Sequence, residues 1–428
     1  MSNSYPVIRL IASLALMTIG ASAMYAGIMV LEPAAIEFRS GRGAASMPYA
    51  SVMAGYAIGG VVMGRLADRN GILIPALLGS LALPAGYLLC AHAQSIIEMC
   101  TVLAILCGFL GASFTFAPLV ADTSLWFTRR RGLALGIVIS GNYAAGALWP
   151  PVMQHYFDQQ GWRETFSDLA FFAVCTMLPL ALLLAKRAPA GQGVDDVEAV
   201  KQSQRRLAMT PTTLQCLICA AGVGCCVAMA VPQVHVVPYV LDLGHPAARG
   251  AEMLGLMLGF GVVSRIASGW LSDRIGGLKT LLIGSGLQAL VLVAFLGDNS
   301  LSWLYGVSIA FGLSQGGIVP SYAIILRTFL PASEAGWRIG MAMLSTVSGM
   351  ALGGWIAGLL YDITGSYQAS FANAILFNIL NLAIAYHLLK RARHTSTGEN
   401  STNATGELSM DSHMTASRGI RGDGKGTD

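Results

Sequence analysis

One arginine stands alone in an apolar stretch of the chain. Between Gly255 and Gly269 the only ionisable side chain is Arg265, with Ser264 and Ser268 beside it. Arginine keeps its proton in proteins, so a guanidinium in such a stretch needs an anion or water next to it. A carboxylate matches it well, because it accepts two parallel hydrogen bonds from the planar group. We predict that Arg265 binds a carboxylate ligand; the alternatives are an ion pair within the protein and a side chain extended towards water.

A second candidate for chemistry is Asp242, at the end of the segment PQVHVVPYVLD (232–242). Desolvation in an apolar cavity keeps a carboxylic acid protonated, whereas a nearby cation such as Arg265 favours the ionised form. This competition suits the exchange of a proton against anion binding, so Asp242 is the predicted proton-coupling acid. The alternative is a solvated acid in a loop. Imidazole changes charge near neutral pH, which makes His235 a further, less favoured candidate.

A short motif occurs twice. GRLADRNG at 64–71 returns 205 residues later as GWLSDRIG at 269–276. A repeat of this period predicts two similar halves. The same shift sets Arg265 of the second half against Gly60 of the first. The two halves therefore share an architecture and differ at the candidate anion site.

Composition indicates a membrane protein. Of the 428 residues 54% are hydrophobic and 11% are charged, against about a quarter charged in ordinary soluble domains. Runs of about 20 apolar residues span a bilayer as helices. Twelve such runs occur, near 9–31, 46–66, 72–92, 96–120, 132–153, 166–186, 211–234, 250–270, 278–297, 301–326, 337–360 and 370–390. None of the other runs holds an acid well inside it, which weakens the ion-pair alternative for Arg265.

The predicted fold is an all-α membrane protein with twelve transmembrane helices in two pseudo-symmetric six-helix halves. The halves are 1–186 and 211–390, joined by a polar cytoplasmic linker at 187–210. The segment 391–428 is polar and lacks apolar periodicity, which predicts a disordered cytoplasmic tail. The first run lacks a convincing cleavage site and is expected to remain as a helix.

Basic residues predict the orientation. Eighteen Lys and Arg residues flank the helices on the side of the N-terminus, and four flank them on the opposite side, namely Arg39, Arg42, Arg163 and Arg249. Both termini are therefore predicted to be cytoplasmic, in a plasma membrane such as the bacterial inner membrane. Expected partners are the lipid bilayer, protons and a small carboxylate, with no nucleic acid, and the chain is expected to be a monomer. The eight cysteines fall in or beside apolar runs, where thiols pack as small hydrophobes, so no metal or cofactor is predicted. The sequence shows no nucleophile with a base and no cluster of metal ligands, so no enzymatic activity is predicted.

The repeated motif resembles the cytoplasmic signature of the major facilitator superfamily, a family of membrane transporters. Gly64, Asp68, Arg69 and Gly71 match its positions, and Gly269, Asp273, Arg274 and Gly276 match them again in the second half. The resemblance implies a loop that latches one conformation of the transporter. A further segment, Arg129-Arg130-Arg131 followed by Gly132, Gly136 and Gly141, is similar to the fifth helix of the monocarboxylate transporters and the oxalate/formate antiporters. Gly161-Trp162-Arg163 is similar to the same group.

This resemblance also implies roles for individual residues. The eighth helix of these transporters carries an anion-binding arginine, which matches Arg265. Animal members have an aspartate one turn earlier, where this chain has Gly261, and a lysine on the first helix, which this chain lacks. The exchangers have a lysine on the eleventh helix, also absent here. One intramembrane cation indicates one carboxylate. Path-lining residues are expected on the first, fourth, seventh, tenth and eleventh helices: Tyr25, Phe114, Phe116, Gln233, Gln315, Tyr322, Ser345 and Ser348.

The sequence therefore predicts a secondary active transporter of small organic monocarboxylates that works by alternating access, with uptake driven by a proton. Anion exchange of the oxalate/formate type is the alternative. A transporter-like membrane sensor of anions is a third candidate. A lone cation disfavours the export of cationic drugs.

Overall fold

The computed structural model describes residues 5–39, 47–127, 129–186 and 207–418. Twelve of its helices are long and apolar enough to cross a membrane, which confirms the predicted fold class. We number them α1 to α12, with the bounds Tyr5–Met29, Met47–Asn70, Leu73–His92, Ile96–Trp126, Arg131–Gln160, Trp162–Leu182, Pro211–Asp242, Ala248–Ile275, Gly277–Ala294, Leu301–Phe329, Ala332–Thr364 and Tyr367–Ala392. A short helix, Leu31–Glu37, follows α1.

The helices pack as two groups of six. In the first group α3 packs on α6 and α2 packs on α4, and in the second α7 packs on α11 and α12. The largest contacts between the groups are those of α5 with α8 and of α2 with α11. We call the face that carries Tyr5 and Ala392 the inner face and the opposite one the outer face. Of the predicted linker, residues 187–206 lie outside the described residues.

The last helix continues past α12 to Arg418, where the sequence predicts a disordered tail from residue 391. A helix satisfies its backbone hydrogen bonds internally, so the lack of apolar periodicity does not by itself prevent one. Residues 419–428 lie outside the described part.

An ion pair is buried at the inner end of the first half. Arg9 of α1 contacts Asp122 of α4 through Nη2 at 2.8 Å and Nε at 3.0 Å, and its Nη1 donates to the carbonyl of Leu184 at 3.0 Å. The fourth helix therefore contains an acid near its inner end that the predicted run did not include, and this acid pairs with Arg9. The predicted fourth run stops at residue 120 because polar residues follow it, but the helix continues to Trp126 and takes Asp122 inside.

A second charged contact fastens the outer end of the first half. Arg163 donates to Glu37 at 2.7 Å and to the carbonyls of Ala91 and Ala93 at 2.6 and 2.7 Å. The hydrogen bond from Arg163 holds the pKa of Glu37 below its usual value. The segment at 161–163 thus joins three outer loops, a structural role that the sequence resemblance did not specify.

Glycines set the path of α10 beside the candidate site. The helix is interrupted at Gly316 and Gly317, between Leu301–Gln315 and Ile318–Phe329. A Cβ on Gly316 would lie 2.5 Å from the carbonyl oxygen of Gly261 on α8. Only glycine fits this approach. The break therefore packs directly against the turn of α8 that precedes Arg265.

Candidate functional site

The repeated aspartates bind backbone amides of the opposite half at the inner face. Asp68 on α2 accepts hydrogen bonds from the N–H groups of Gly336 at 2.8 Å and of the next residue at 2.9 Å. Asp273 on α8 accepts from Gly132 at 2.6 Å and from the next residue at 2.9 Å. These amides open α11 and α5, where the positive end of a helix favours a carboxylate. Two equivalent contacts thus close the inner face.

Glycines allow the helices to approach closely at the two crossings between the halves, that of α2 with α11 and that of α5 with α8. A Cβ on Gly64 would overlap the carbonyl of Gly336, and one on Gly269 would overlap the carbonyl of Gly132. The sequence contains a signal for these close crossings. Gly132 and Gly136 are spaced as Gly336 and Gly340 are, 204 residues later, and this small-residue spacing is typical of closely packed membrane helices.

The arginines of the predicted latch take other positions. Arg69, Arg129, Arg130 and Arg274 are exposed, and the last stacks over Trp270 at 3.7 Å. Arg131 donates from Nε to the carbonyl of Ser124 at 3.2 Å. Gly71 and Gly276 end their helices with positive φ angles of 83° and 85°, which other residues adopt only with strain. The contacts between the halves at the two repeats are therefore made by the aspartates and the glycines.

Arg265 lies directly above the crossing of α5 and α8. A Cβ on Gly136 would lie 2.6 Å from the carbonyl oxygen of Arg265, just as one on Gly340 would lie 2.6 Å from that of Gly60. Gly60 and Arg265 are thus equivalent in space as well as in the repeat. A Cβ on Gly60 has nothing within 4 Å. The second half presents a cation at the position where the first half leaves open space.

The guanidinium of Arg265 is held by α5. Its Nη1 donates to the carbonyl of Ile139 at 2.7 Å, and its Cζ lies 3.5 Å from the centre of the Tyr143 ring. The side chain is 94% buried, and Nε is enclosed without a partner. Nη2 makes no hydrogen bond with the described residues and is not among the enclosed atoms. Nη2 and the second hydrogen of Nη1 are therefore the positions at which a ligand can bind.

No carboxylate whose side chain the structure describes bonds to Arg265. Tyr143 of α5 contacts the guanidinium, and Tyr25 of α1 places its hydroxyl against Gly146 of the same helix. The hydroxyls of Tyr25, Tyr56 and Tyr143 make no hydrogen bond in the described part of the chain and are not sealed from the surroundings. Hydroxyls can donate to an anion. The first half thus supplies three phenols with unused hydroxyls, and one of them, Tyr143, contacts the cation.

The sequence missed Tyr56 and Tyr143. Tyr56 lies on the second helix and Tyr143 on the fifth, and the resemblance did not assign either helix to the path. Their positions carried a signal, since both lie close to glycines inside apolar runs, and Tyr143 is the sole tyrosine of its run. The structure explains the role of Gly261 at the same time, because a Cβ there would lie 2.6 Å from the Tyr143 ring.

Five of the predicted path-lining residues contact either a neighbouring helix or their own helix. Gln233 donates to Gln315 at 2.7 Å and joins α7 to α10, and Tyr25 lies against Gly146 of α5 with its hydroxyl. Ser345 and Ser348 bond to carbonyls of their own helix.

Two of the predicted aromatic path-lining residues lie inside the helix bundles. Phe114 is fully buried, with its ring against Gly79 of α3. Tyr322 is also fully buried, and its hydroxyl lies 3.0 Å from the carbonyl oxygen of Ala221 and 3.0 Å from Oδ1 of Asn381, both in the second half. Both side chains point into a helix bundle because each finds a tight partner there, which the sequence pattern of one helix does not reveal. Phe116 is buried as well.

Asp242 lies far from Arg265. It is exposed at the outer end of α7, beside Tyr361 and Tyr367, in a cavity of about 360 Å³. Arg265 lies 17 residues inward of Ala248, the outer end of α8, which is about 25 Å along a helix. Direct competition between the two charges is therefore not supported, and a role of Asp242 in proton coupling stays a prediction.

Known proteins similar to this chain are transporters. The sequence model of the Major Facilitator Superfamily matches residues 11–297 and 261–421. Monocarboxylate transporter 11 of Homo sapiens is 28% identical over 328 residues, which are 73% of this chain and 67% of that protein. Monocarboxylate transporter 13 of Bos taurus is 26% identical over 339 residues, 78% and 76% of the two chains. The uncharacterized MFS-type transporter YcxA of Bacillus subtilis is 25% identical over 365 residues, 82% and 87%.

Solved structures agree with the fold. The transporter FucP in its outward conformation superposes with a TM-score of 0.70 at 14% identity, over 90% of this chain and 99% of FucP. The proton:xylose symporter XylE superposes with a TM-score of 0.67 at 13% identity, over 91% and 96%. At such identities the similarity concerns the arrangement of the helices.

Proposed function

The chain belongs to the major facilitator superfamily, and on that premise we propose that it carries small organic monocarboxylates across a membrane, with Arg265 binding the carboxylate. The observation that carries this proposal is a buried guanidinium without a carboxylate partner among the described side chains. Such a charge costs several kcal/mol in a membrane protein unless an anion or water offsets it. A transported carboxylate offsets it with two hydrogen bonds.

The surroundings of Arg265 define the class of substrate. One cation balances one carboxylate, so a monocarboxylate leaves the loaded site neutral. The unused hydroxyls of Tyr25, Tyr56 and Tyr143 are further donors in the first half, and the Tyr143 ring lies against the guanidinium. An aromatic ring at the site suits an acid with a planar or apolar body. The names of the relatives, monocarboxylate transporters 11 and 13, agree with this class.

The proposal includes a transport mode and an orientation. In the first mode a proton drives uptake, and Asp242 accepts it at the outer face; since Arg265 is distant, the coupling runs through movement of α7. The inner face, rich in basic residues, faces the cytoplasm of a bacterial inner membrane, and the chain works as a monomer.

One observation favours a second mode, anion exchange. With no described acid at Arg265 to offset its charge, the empty site leaves an uncompensated cation when it closes. Closing an empty site is therefore costlier than closing a loaded one, and a loaded carrier returns faster. This favours exchange of one carboxylate for another over net uptake.

Reconstituted vesicles separate these modes. Purified protein is tested with labelled lactate, pyruvate, formate, oxalate and aromatic acids, first with an inward pH gradient and then with unlabelled acid trapped inside. Transport of at least one monocarboxylate in preference to oxalate is expected. Accumulation with the pH gradient alone supports the proton-driven mode, and counterflow without it supports exchange. Failure of every carboxylate in both assays contradicts the proposed function.

Replacing Asp242 by asparagine tests the proton-driven mode. The amide keeps the shape of the side chain but cannot take up a proton, so we expect loss of pH-driven accumulation while counterflow continues. Asp362→Asn is the matched control, because this neighbouring acid on α11 is also exposed. Unchanged accumulation in Asp242→Asn would show that the residue is only a solvated acid.

The stacking of Tyr143 on Arg265 predicts a binding effect. A desolvated cation–π contact contributes about 2 kcal/mol, so Tyr143→Leu should raise the KM for the carboxylate about thirtyfold with little change in the maximal rate. Tyr156→Leu is a suitable control, since this tyrosine is exposed at the outer end of the same helix. A KM equal to that of the wild type would remove Tyr143 from the site.

A further inference from the structure

His235 joins three helices near the outer face of the second half. Its Nε2 lies 2.9 Å from the carbonyl oxygen of Gly354 on α11, and its Nδ1 lies 3.4 Å from the hydroxyl of Tyr367 on α12. A carbonyl only accepts hydrogen bonds, so Nε2 carries the proton and Nδ1 of the neutral ring accepts from Tyr367. The neutral imidazole is thus satisfied on both sides.

The polar contacts continue from His235 to the surface. The rings of Tyr361 and Tyr367 are stacked 4.5 Å apart, and both tyrosines line the same cavity as Asp242. Asp242 follows His235 by seven residues, which places it on the same side of α7 about 10 Å further out. An exposed carboxylate and a partly buried imidazole are therefore linked through two phenols.

His235 marks a change in how α7 packs on α11. Further in, a Cβ on Gly353 would lie 2.6 Å from the carbonyl oxygen of Val227, so the two backbones are in direct contact. Further out, a Cβ on Gly358 would approach nothing closer than the His235 ring, at 3.7 Å. Pro232 and Pro238 flank the histidine and interrupt the hydrogen bonding of the helix,. The outer part of α7 thus follows two prolines and is less closely packed on α11 than the inner part, although it stays close to α8, where a Cβ on Gly250 would lie 2.7 Å from Cα of Val237. His235 is its polar attachment to α11 and α12.

Other charged groups near this attachment are few. Besides Asp242, the helices around His235 carry Asp362 on α11, and no Lys or Arg lines the adjoining cavity. At the outer end of α8, Arg249 and Glu252 pair with each other at 3.1 Å. Tyr239 of α7 donates its hydroxyl to Asn299 at 2.9 Å. The charged groups that line the cavity next to His235 are therefore acidic.

We propose that His235 is a proton-operated attachment that sets how firmly the outer part of α7 rests on α11 and α12, and so makes the opening at the outer face respond to pH. On protonation, Nδ1 becomes a donor. The Tyr367 hydroxyl then accepts this hydrogen bond and turns its own hydrogen towards the acidic cavity. The charged ring is also attracted to Asp242. Low pH therefore strengthens the attachment, and high pH loosens it. The link to transport rests on the proposed function, but the attachment itself does not.

Amide hydrogen exchange of the segment 232–242 tests the proposal in lipid nanodiscs. After correction for the intrinsic pH dependence of exchange, protection should be at least about threefold greater at about pH 5.5 than at about pH 7.5, because imidazole titrates between these values. His235→Gln keeps a donor for the Gly354 carbonyl but cannot titrate, so the difference should vanish. His92→Gln is the matched control, since His92 is also near the outer face and contacts a carbonyl, that of Leu88, at 2.8 Å; it should keep the difference.

Two further variants separate this proposal from the proposed function. Tyr367→Phe removes the acceptor for the protonated ring and should reduce the pH difference in exchange. Arg265→Ala should abolish carboxylate transport and leave the pH difference intact. The proposal is overturned if the wild-type protein shows no pH difference in exchange, or if His235→Gln keeps the pH difference. Absence of carboxylate transport together with an intact pH difference overturns only the proposed function.

Discussion

Replacing Arg265 by alanine is expected to abolish carboxylate transport. Charge-assisted hydrogen bonds contribute about 1.5–3 kcal/mol each, so loss of two should weaken binding by at least about a hundredfold. Arg265→Lys keeps the charge but loses the planar fork and the stacking on Tyr143, and an intermediate loss is expected. Counterflow uptake of the best substrate in vesicles measures both effects. Uptake by Arg265→Ala at the wild-type rate would refute the proposed site.

Two arginine controls separate binding from folding. Arg249→Ala changes an exposed arginine at the outer end of the same helix and should leave transport intact. Because the guanidinium of Arg265 has no described carboxylate partner, its removal leaves no buried acid unpaired, and the melting temperature should fall only by the loss of its contacts with Ile139 and Tyr143. Arg9→Ala, in contrast, leaves Asp122 buried and unpaired, which costs about 3–5 kcal/mol in comparable cases. A larger fall in melting temperature in Arg9→Ala than in Arg265→Ala is the expected pattern.

Enlarging either crossing glycine should prevent the inner face from closing. The added side chain in Gly64→Val or Gly269→Val overlaps a backbone carbonyl of the opposite half, and a backbone cannot give way as a flexible side chain does. Alternating access requires both faces to close in turn. Transport should therefore fall by at least about a hundredfold, as it does when a step of the cycle is blocked by more than about 3 kcal/mol.

The conformation of these variants can be measured directly. Spin labels on Asn70 of the first half and Thr328 of the second, both exposed at inner helix ends, report the separation of the halves. This distance should lengthen in both glycine variants. Gly259→Val is the matched control on α8, because a Cβ there meets no atom within 4 Å. Unchanged distances and transport in Gly64→Val and Gly269→Val would show that the two crossings do not open during the cycle.

The difference between the two halves at the position of Arg265 was visible in the sequence repeat, without the fold. The repeat aligned Gly60 with Arg265, and the structure sets both against equivalent glycines, Gly340 and Gly136. The alignment succeeds because each repeat lies on one helix, where spacing along the chain fixes spacing along the axis. The proposed pairing of Asp242 with Arg265 had no such basis. They lie on different helices, and only the packing sets their relative depth.

The sequence by itself determined the twelve helices, the two halves and the lone cation of α8, because bilayer length, apolar composition and helical spacing are local properties of the chain. Only the tertiary structure decided which charges are compensated. Arg9 finds Asp122 at a distance of 113 residues, whereas Arg265 stacks on Tyr143 and finds no described acid. The physical reason is that the cost of a buried charge depends on its neighbours in space, and these come from helices whose mutual rotation and depth no single segment encodes.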